Sequence, residues 1–453
     1  MAESTNTIQK EIQDREAKEK RELRRKRRRR NQILAILTLL LFVCLIVAII
    51  GTGVWYIMHR GAGKTAGGGA ATTEENTIDN LFESEDEIVK PEETNTEPAL
   101  TPEQQLDAIL DEAFISQMPL EDKVAGLFIV TPESITGVNK AVKAGDGTKD
   151  ALNKYAVGGI VYASQNMQDA AQFTEMVSNT TLYSRYALFT CVAEEGGSST
   201  SLEKAGLADK TDSEQAMGIG ADAAKAYEAS GKIADSMLTY GLNLNFAPVA
   251  DLATVQDSYL KDASYGSDAV LAASFVTSAV QGMQEKGISS CLKYFPGAAD
   301  MKEDPAKGMA SSERTAEQLA AEEFTVFKAG IDAGADMVMV GHVAVPAITG
   351  DNTPCSLSSA VVTDKLRNEL GFNGVIITDA MNKGAITEYY EADEAAILAL
   401  KAGCDMILCP DDFEKAYNGV LEAVQNGTIS EERINDSLRR IYRIKYAGMK
   451  PEA

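Results

Sequence analysis

The sequence predicts an α/β protein, a (β/α)8 TIM-type barrel, preceded by a single N-terminal transmembrane helix and a flexible linker. Three observations predict this fold class. Short apolar runs alternate with longer amphipathic segments eight times over roughly 350 residues, as in a barrel of parallel strands. Polar side chains follow the ends of these runs, and one long uncharged segment lies near the N-terminus.

The first two predicted segments are a basic cytoplasmic segment, 1–31, and a transmembrane helix, 32–58. Residues 33–58 carry no charge and, at about 1.5 Å per residue, would exceed the roughly 30 Å hydrocarbon core of a bilayer. Trp55 and Tyr56 lie near the far end, as interfacial aromatic residues do. The basic side should stay in the cytoplasm, which predicts a single-pass protein of the cell membrane with an extracellular barrel. A cleaved signal peptide is the alternative, although its apolar region usually has only about 7–15 residues.

Residues 59–100 are rich in Gly, Ala, Thr, Glu and Asn and predict a flexible acidic linker. The barrel domain is predicted over residues 101–453 and begins near Thr101, where Pro102 and Glu103 suit a first helical turn. The net charge of −24 argues against a nucleic-acid partner. The basic run before the apolar segment is explained by the positive-inside rule. The sequence does not indicate an oligomeric state.

The barrel prediction depends on eight strand-like runs separated by helical patterns. The runs are Ala125–Val130, Gly159–Ala163, Ala187–Val192, Leu242–Ala247, Ile288–Phe295, Met337–Val340, Val375–Thr378 and Asp405–Cys409. The helical patterns include Ser213–Tyr240, Val270–Lys286, Thr315–Ala333 and Glu391–Ala402. A doubly wound open sheet is the alternative, but no Gly-rich phosphate-binding turn follows the first run.

Cysteine and histidine usage predicts no metal site and no cofactor. Five cysteines follow the predicted membrane span, an odd number that argues against a complete disulfide framework. His59 and His342 are the two histidines of the chain, and no Cys/His spacing resembles a zinc site.

The ends of the strand-like runs carry the candidate functional residues, because such barrels place their active sites there. They are Glu194, Glu195, Asn245, Asp251, Lys293, His342 and Asp379. Asp379 ends a buried run flanked by glycines, and it either serves a pocket or caps the next helix. Lys293 either binds a ligand or pairs with Asp379, and His342 is either a site residue or a satisfied polar core residue.

Six segments in order resemble family 3 of the glycoside hydrolases, in its single-domain β-N-acetylglucosaminidase-like branch. They are Ala193–Gly197, Leu244–Asp251, Lys293–Gly297, Ala333–Met339, Pro354–Ser358 and the segment around Asp379. The resemblance implies a retaining mechanism with Asp379 as nucleophile. It also implies that Lys293, His342, Glu195 and Tyr294 bind the substrate.

Several positions depart from the pattern of that branch. Ala306 stands where the branch has its general acid/base His, and only the partner Asp304 remains, so Asp304 is the candidate acid. Tyr294 replaces a sugar-contacting His, and Ala193, Ser201, Ala263 and Ala298 replace further polar residues. Glu194, Glu195, Asp300 and Glu303 are other acids that could substitute.

The resemblance therefore implies a membrane-anchored, β-N-acetylhexosaminidase-like glycosidase that acts on terminal amino sugars of cell-wall or surface glycans. The alternative is a catalytically impaired or inactive barrel that binds surface carbohydrate or acts as a scaffold. In both cases the expected partners are a carbohydrate and the membrane.

Overall fold

Eight short parallel strands close into a barrel in the computed structural model of the protein, which describes residues 109–110, 114–260, 262–298 and 300–447. The strands are β1 Phe128–Val130, β2 Gly159–Val161, β3 Phe189–Val192, β4 Leu244–Asn245, β5 Ser289–Phe295, β6 Met337–Val340, β7 Val375–Ala380 and β8 Met406–Leu408. Each strand pairs with its successor in sequence, and β8 pairs with β1. The barrel prediction is confirmed, and the alternative of an open sheet is wrong.

The strand register is irregular at two places that carry candidate site residues. Between β5 and β6 the register shifts between Leu292 and Phe295, so Lys293 and Tyr294 lie in the irregular stretch. Between β7 and β8 it shifts between Ile377 and Ala380, which brackets Asp379. Such irregularities re-aim side chains near active sites, and here they redirect the residues at the carboxyl ends of two strands.

Helical segments follow the strands and cover the barrel. They are α1 Leu120–Ala125, α2 Pro132–Thr136, α3 Asp146–Lys154, α4 Ala170–Tyr183, α5 Glu214–Ile219, α6 Ala224–Thr239, α7 Ala269–Gln284, α8 Ala316–Ala321, α9 Glu323–Asp332, α10 Pro346–Thr349, α11 Ala360–Glu369, α12 Gly384–Thr387, α13 Ala392–Ala402, α14 Phe413–Gln425 and α15 Glu431–Lys445. Segment α11 is π-helical, and the others are α-helices.

Local sequence explains where several helices begin. Asp169, Asp268 and Asp412 each accept a backbone N–H of the first turn at the start of α4, α7 and α14. Thr315 and Gln318 form a reciprocal capping box at the start of α8. Two predicted helical regions are each divided in two, since α5 ends before α6 begins and α8 ends before α9 begins.

The strands form the centre of the hydrophobic core. All residues of β1, β3 and β6 are buried, and Phe173, Phe275 and Phe327 pack on the core from the helices. Among the described residues no helix is long and apolar enough to cross a membrane. The predicted transmembrane helix at 32–58 lies outside the described residues, as do the segments 1–31 and 59–100 and the predicted start of the domain at Thr101.

Candidate active site

A cavity of about 430 Å³ lies where the strands end. The six residues proposed from the sequence as catalytic or substrate-binding all line this cavity. These residues are Asp379, Asp304, Lys293, His342, Glu195 and Tyr294. They come from the β3, β5, β6 and β7 ends and from the loop after β5. A volume in this range suits a small-molecule ligand such as a monosaccharide unit.

Asp379 is a buried carboxylate held by two hydrogen bonds. Its Oδ2 accepts from Lys383 Nζ at 2.6 Å, and its Oδ1 accepts from the backbone N–H of Ala380 at 2.7 Å. Burial acts to raise the pKa of Asp379, but the Lys383 ammonium and these hydrogen bonds together hold it below its ordinary value. Asp379 is therefore ionised at neutral pH, as a nucleophile must be.

His342 holds the backbone next to Asp379. Its Nε2 lies 3.0 Å from the carbonyl oxygen of Ala380 and its Nδ1 lies 2.8 Å from Ser356 Oγ. A carbonyl can only accept, so the proton is on Nε2 and Nδ1 accepts from the Ser356 hydroxyl. Burial lowers the pKa of His342, which keeps the ring neutral. His342 thus lines the cavity and also has both ring nitrogens satisfied within the protein.

Lys293 forms a buried ion pair with Glu195, so the alternative that it pairs with Asp379 is wrong. Both side chains are almost fully buried. The shift of register in β5 places Lys293 beside the loop after β3, whereas Lys383 occupies the position next to Asp379. The cavity therefore contains two separate lysine–carboxylate pairs.

Tyr294 lies between these two pairs. The Nζ atoms of Lys293 and Lys383 are 5.3 and 5.4 Å from the centre of its ring. Both ammonium groups are thus within the range of a cation–π contact. The Tyr294 ring therefore adds an aromatic surface to the cavity lining between the two ion pairs.

A third carboxylate, Glu214, lies behind the pair of Lys293 and Glu195. It is buried at the start of α5, and both its oxygens lie 3.2 Å from the backbone N–H of Val249. Burial and the nearby Glu195 charge raise the pKa of Glu214 well above its ordinary value. Glu195 and Glu214 thus both lie near the ammonium group of Lys293, which balances only one negative charge. Glu214 therefore favours its neutral, protonated form.

Asp304 differs from Asp379 and Glu195, the other two carboxylates of the cavity lining, because it makes no ion pair among the described residues. Its Oδ1 accepts the backbone N–H of Ala306 at 2.9 Å. Ala306 also lines the cavity, with its methyl group in place of a larger side chain. The turn at Asp304–Lys307 packs against α12, since a Cβ on Gly384 would lie 2.8 Å from the backbone of Gly308.

Three other polar residues proposed at the strand ends, and two other acids proposed as substitutes, do not line the cavity. Asn245 bonds to the backbone of Glu194, and Asp251 accepts from the backbone of Leu252 and Ala298. Glu194 accepts from Ser201 and Leu202, and burial raises its pKa to about 7. The carboxylate of Asp300 binds Ser312 and Glu313. Glu303 is exposed and is also absent from the lining.

The residues that depart from the family pattern are gathered at the cavity. Besides Tyr294, the five departures with small side chains all line it, namely Ala193, Ser201, Ala263, Ala298 and Ala306. They bring four methyl groups and one hydroxyl group to the lining, and none of them removes the Asp379 carboxylate.

Two glycines allow the loop after β3 to carry Glu195 into the cavity. Gly196 and Gly197 have φ angles of +85° and +59°. A Cβ on Gly196 would lie 2.2 Å from the carbonyl oxygen of Asp212. The close approach of these two chain segments fixes the loop that holds Glu195.

Sequence reasoning missed Lys383, Glu214 and Tyr259. Tyr259 lines the cavity and is partly buried, and Lys383 follows Asp379 by four residues. That spacing was the available signal for Lys383, although it does not reveal which carboxylate the lysine joins. No pattern in the sequence connects Glu214 with Lys293, because the two lie in different β/α units.

Known proteins with similar sequences and similar folds are glycoside hydrolases. A β-hexosaminidase of Stenotrophomonas maltophilia (strain R551-3) is 30% identical over 284 residues, covering 60% of this chain and 82% of that protein. The structure of a glycoside hydrolase family 3 β-N-acetylglucosaminidase from Paenibacillus sp. str. FPU-7 matches with a TM-score of 0.69 and 31% identity. That match covers 74% of this chain and 64% of the Paenibacillus chain, so this chain spans less than two thirds of that protein.

A second structure, a β-N-acetylhexosaminidase from Beutenbergia cavernae DSM 12333, matches with a TM-score of 0.65 and 26% identity, covering 73% of this chain and 99% of that one. The family model for the N-terminal domain of glycosyl hydrolase family 3 matches residues 119–444. This range contains the whole barrel and every cavity residue described above. The chain therefore belongs to glycosyl hydrolase family 3.

Proposed function

We propose that this protein is a retaining glycosidase that releases terminal β-linked N-acetylhexosamine. The observation that carries the proposal is the ionised Asp379 at the end of β7, inside a cavity that fits one sugar unit. Asp379 would attack the anomeric carbon and form a glycosyl ester, while the bond to the leaving-group oxygen breaks. The names of the relatives, β-hexosaminidase and β-N-acetylglucosaminidase, support an amino sugar as substrate.

The proton for the leaving group would come from Asp304. It is the carboxylate of the cavity that makes no ion pair among the described residues, whereas Asp379 and Glu195 each bind a lysine. Most glycosidases use a carboxylic acid for this step, so an aspartate is chemically suitable. Lys293, Glu195, Tyr294 and His342 would hold the sugar hydroxyls and the ring.

The decisive experiment compares the full-length chain with its Asp379→Ala and Asp379→Asn variants on 4-nitrophenyl N-acetyl-β-D-glucosaminide. We expect turnover by the parent chain and a loss of at least about 10³-fold in both variants, because the nucleophile is removed. Asp332→Ala, at an exposed lysine–aspartate pair on α9, is the matched control and should keep full activity. The proposal fails if the Asp379 variants hydrolyse the glycoside as fast as the parent chain.

A second function is favoured by the five small residues at the cavity. Loss of a positioned acid/base lowers rates by about 10²–10⁴-fold, and lost charged hydrogen bonds weaken sugar binding further. The same cavity could therefore serve a surface carbohydrate-binding or scaffolding protein that lacks turnover. In that case sugar binding, measured by titration calorimetry, persists in Asp379→Asn and no aryl glycoside is hydrolysed. Hydrolysis that depends on Asp379 would exclude it.

We also propose that the barrel acts at the outer face of the cell membrane on wall or surface glycans. The uncharged segment at 32–58 and the basic residues before it support this location. The protein should then remain with membranes after an alkaline carbonate wash and be digested by protease added to intact cells. Recovery in the wash supernatant would contradict the anchor.

A further inference from the structure

The carboxylate proposed as nucleophile is already paired with a lysine that neither the sequence nor the comparisons assign to the site. Lys383 Nζ lies 2.6 Å from Asp379 Oδ2, and the lysine side chain is only 25% exposed. Among the described residues Asp379 is the sole carboxylate that forms an ion pair with Lys383. Lys293 is not available as a partner for Asp379, because it forms an ion pair with Glu195.

Glycosylation of Asp379 would remove the partner of Lys383. An Asp379 oxygen forms a bond to the anomeric carbon, and the bond to the leaving-group oxygen breaks with its electron pair staying on that oxygen. A nitrophenyl group departs as the phenolate and needs no donated proton. Asp379 is then a neutral ester, while Lys383 keeps its charge in a partly buried position and has lost its carboxylate partner.

We infer that the natural ligand carries an anionic group on the sugar beside Asp379, and that Lys383 selects for it. A carboxylate, sulfate or phosphate on that sugar would pair with Lys383 as the Asp379 charge disappears, so the interaction becomes stronger as the reaction proceeds. Lys204, an exposed residue of the same cavity, adds a second positive charge. This inference rests on the proposed function, because it names the substrate class of the same site.

The first test compares turnover of 4-nitrophenyl N-acetyl-β-D-glucosaminide with that of its 6-O-sulfate and 6-O-phosphate and of 4-nitrophenyl β-D-glucuronide. We expect kcat/KM for at least one anionic glycoside to exceed that of the neutral one by about tenfold or more. Lys383→Met should abolish this preference. Lys365→Met removes an equivalent lysine–carboxylate pair four residues apart on α11, away from the cavity, and should leave the preference unchanged. Equal preference in the parent chain and Lys383→Met would overturn the inference.

The second test needs no turnover and separates the two ideas. Asp379→Asn removes the negative charge as the ester would, so it should bind the favoured anionic sugar about tenfold or more tightly than the parent chain does. Adding Lys383→Met to Asp379→Asn should remove that gain. If no glycoside is hydrolysed but this Lys383-dependent gain is measured by titration calorimetry, the inference stands and the proposed function fails. Hydrolysis of the neutral glycoside with no such gain upholds the proposed function and overturns the inference.

Discussion

The charge state of Asp379 is set by its nearest neighbours. Burial alone would leave this carboxyl group protonated to higher pH, but the Lys383 ammonium and the hydrogen bonds to Asp379 reverse the direction of the shift. Burial raises the pKa values of Tyr259 and Tyr294 well above the usual range, so these cavity tyrosines add no negative charge beside Asp379. The titration of Asp379 therefore depends chiefly on one lysine that the chain supplies four residues later.

This dependence predicts a shift in the acid limb of the pH–rate profile. The kcat/KM of the parent chain for a nitrophenyl glycoside should fall only below pH 3.8, the ordinary pKa of an aspartate, because the pKa of Asp379 lies lower. In Lys383→Met the limb should move to higher pH, since burial is then opposed by fewer positive charges. An unchanged acid limb in Lys383→Met would contradict the role assigned to the pair.

The same shift has a consequence for stability. Because the folded state lowers the pKa of Asp379, ionisation of this group contributes to stability at pH values above the ordinary 3.8. The contribution is lost as the pH falls through the lower value of the folded state. The pair of Lys383 and Asp379 therefore supports the fold throughout the neutral range and weakens only in strong acid.

Asp304 should limit the rate only for substrates with poor leaving groups. For an alkyl glycoside, which needs a donated proton, Asp304→Ala should lower kcat/KM by about 10²–10⁴-fold, because the proposed acid is removed. A dinitrophenyl glycoside, whose leaving group needs no proton, should lose little. Adding Ala306→His to Asp304→Ala places an imidazole at the same part of the cavity and should restore part of the rate, whereas Ala263→His, elsewhere on the lining, should not. An equal loss for both glycosides in Asp304→Ala would argue against Asp304 as the acid.

At the scale of secondary-structure elements, Asp405 joins the last two β/α units. It is fully buried just before β8, where Oδ2 binds Arg367 of α11 at 2.7 Å and the backbone N–H of Ile376 at 2.9 Å. Its Oδ1 binds Ser437 and Arg440 of α15 at 2.8 and 3.0 Å. One carboxylate thus fixes α11 and α15 against the strand that carries Asp379.

Removal of this carboxylate should destabilise the whole barrel. Asp405→Ala removes the carboxylate that pairs with three arginines, Arg367, Arg433 and Arg440, and we expect a loss of about 3–5 kcal/mol in the free energy of unfolding, measured by urea denaturation. Asp332→Ala breaks an exposed pair and should cost less than about 1 kcal/mol. Equal losses in the two variants would show that the Asp405 network does not anchor these elements.

The strands and helices were largely predictable from the sequence, because segments that are buried in the core consist mainly of apolar residues. Seven of the eight strands lie within their predicted apolar runs, while β7 continues two residues beyond its run to Ala380, so Asp379 lies near the end of the strand. The pairing of side chains was not predictable. The register is irregular in β5 and β7, where Lys293 meets Glu195 and Lys383 meets Asp379, and such shifts leave no periodic signal in the sequence.

At the scale of the whole molecule, the closed barrel explains why residues far apart in sequence share one cavity. Glu195 and Asp379 lie on the third and seventh β/α units, and the ring brings both to the carboxyl ends of the strands. The family match over 119–444 spans this complete ring. The sequence therefore sufficed to predict the fold and the position of Asp379 at the cavity, while the charged contacts around Asp379 required the three-dimensional structure.

The most direct test of the account is covalent labelling by a dinitrophenyl glycoside of 2-deoxy-2-fluoro-β-D-glucose, or by its 6-O-sulfate. The fluorine slows release of the glycosyl ester, and the dinitrophenolate needs no proton, so the absence of a histidine at position 306 does not prevent labelling. Peptide mapping by mass spectrometry should locate one sugar on Asp379 and none in Asp379→Asn. A sugar attached to any other carboxylate, or equal labelling of the variant, would contradict the assignment of Asp379 as the nucleophile.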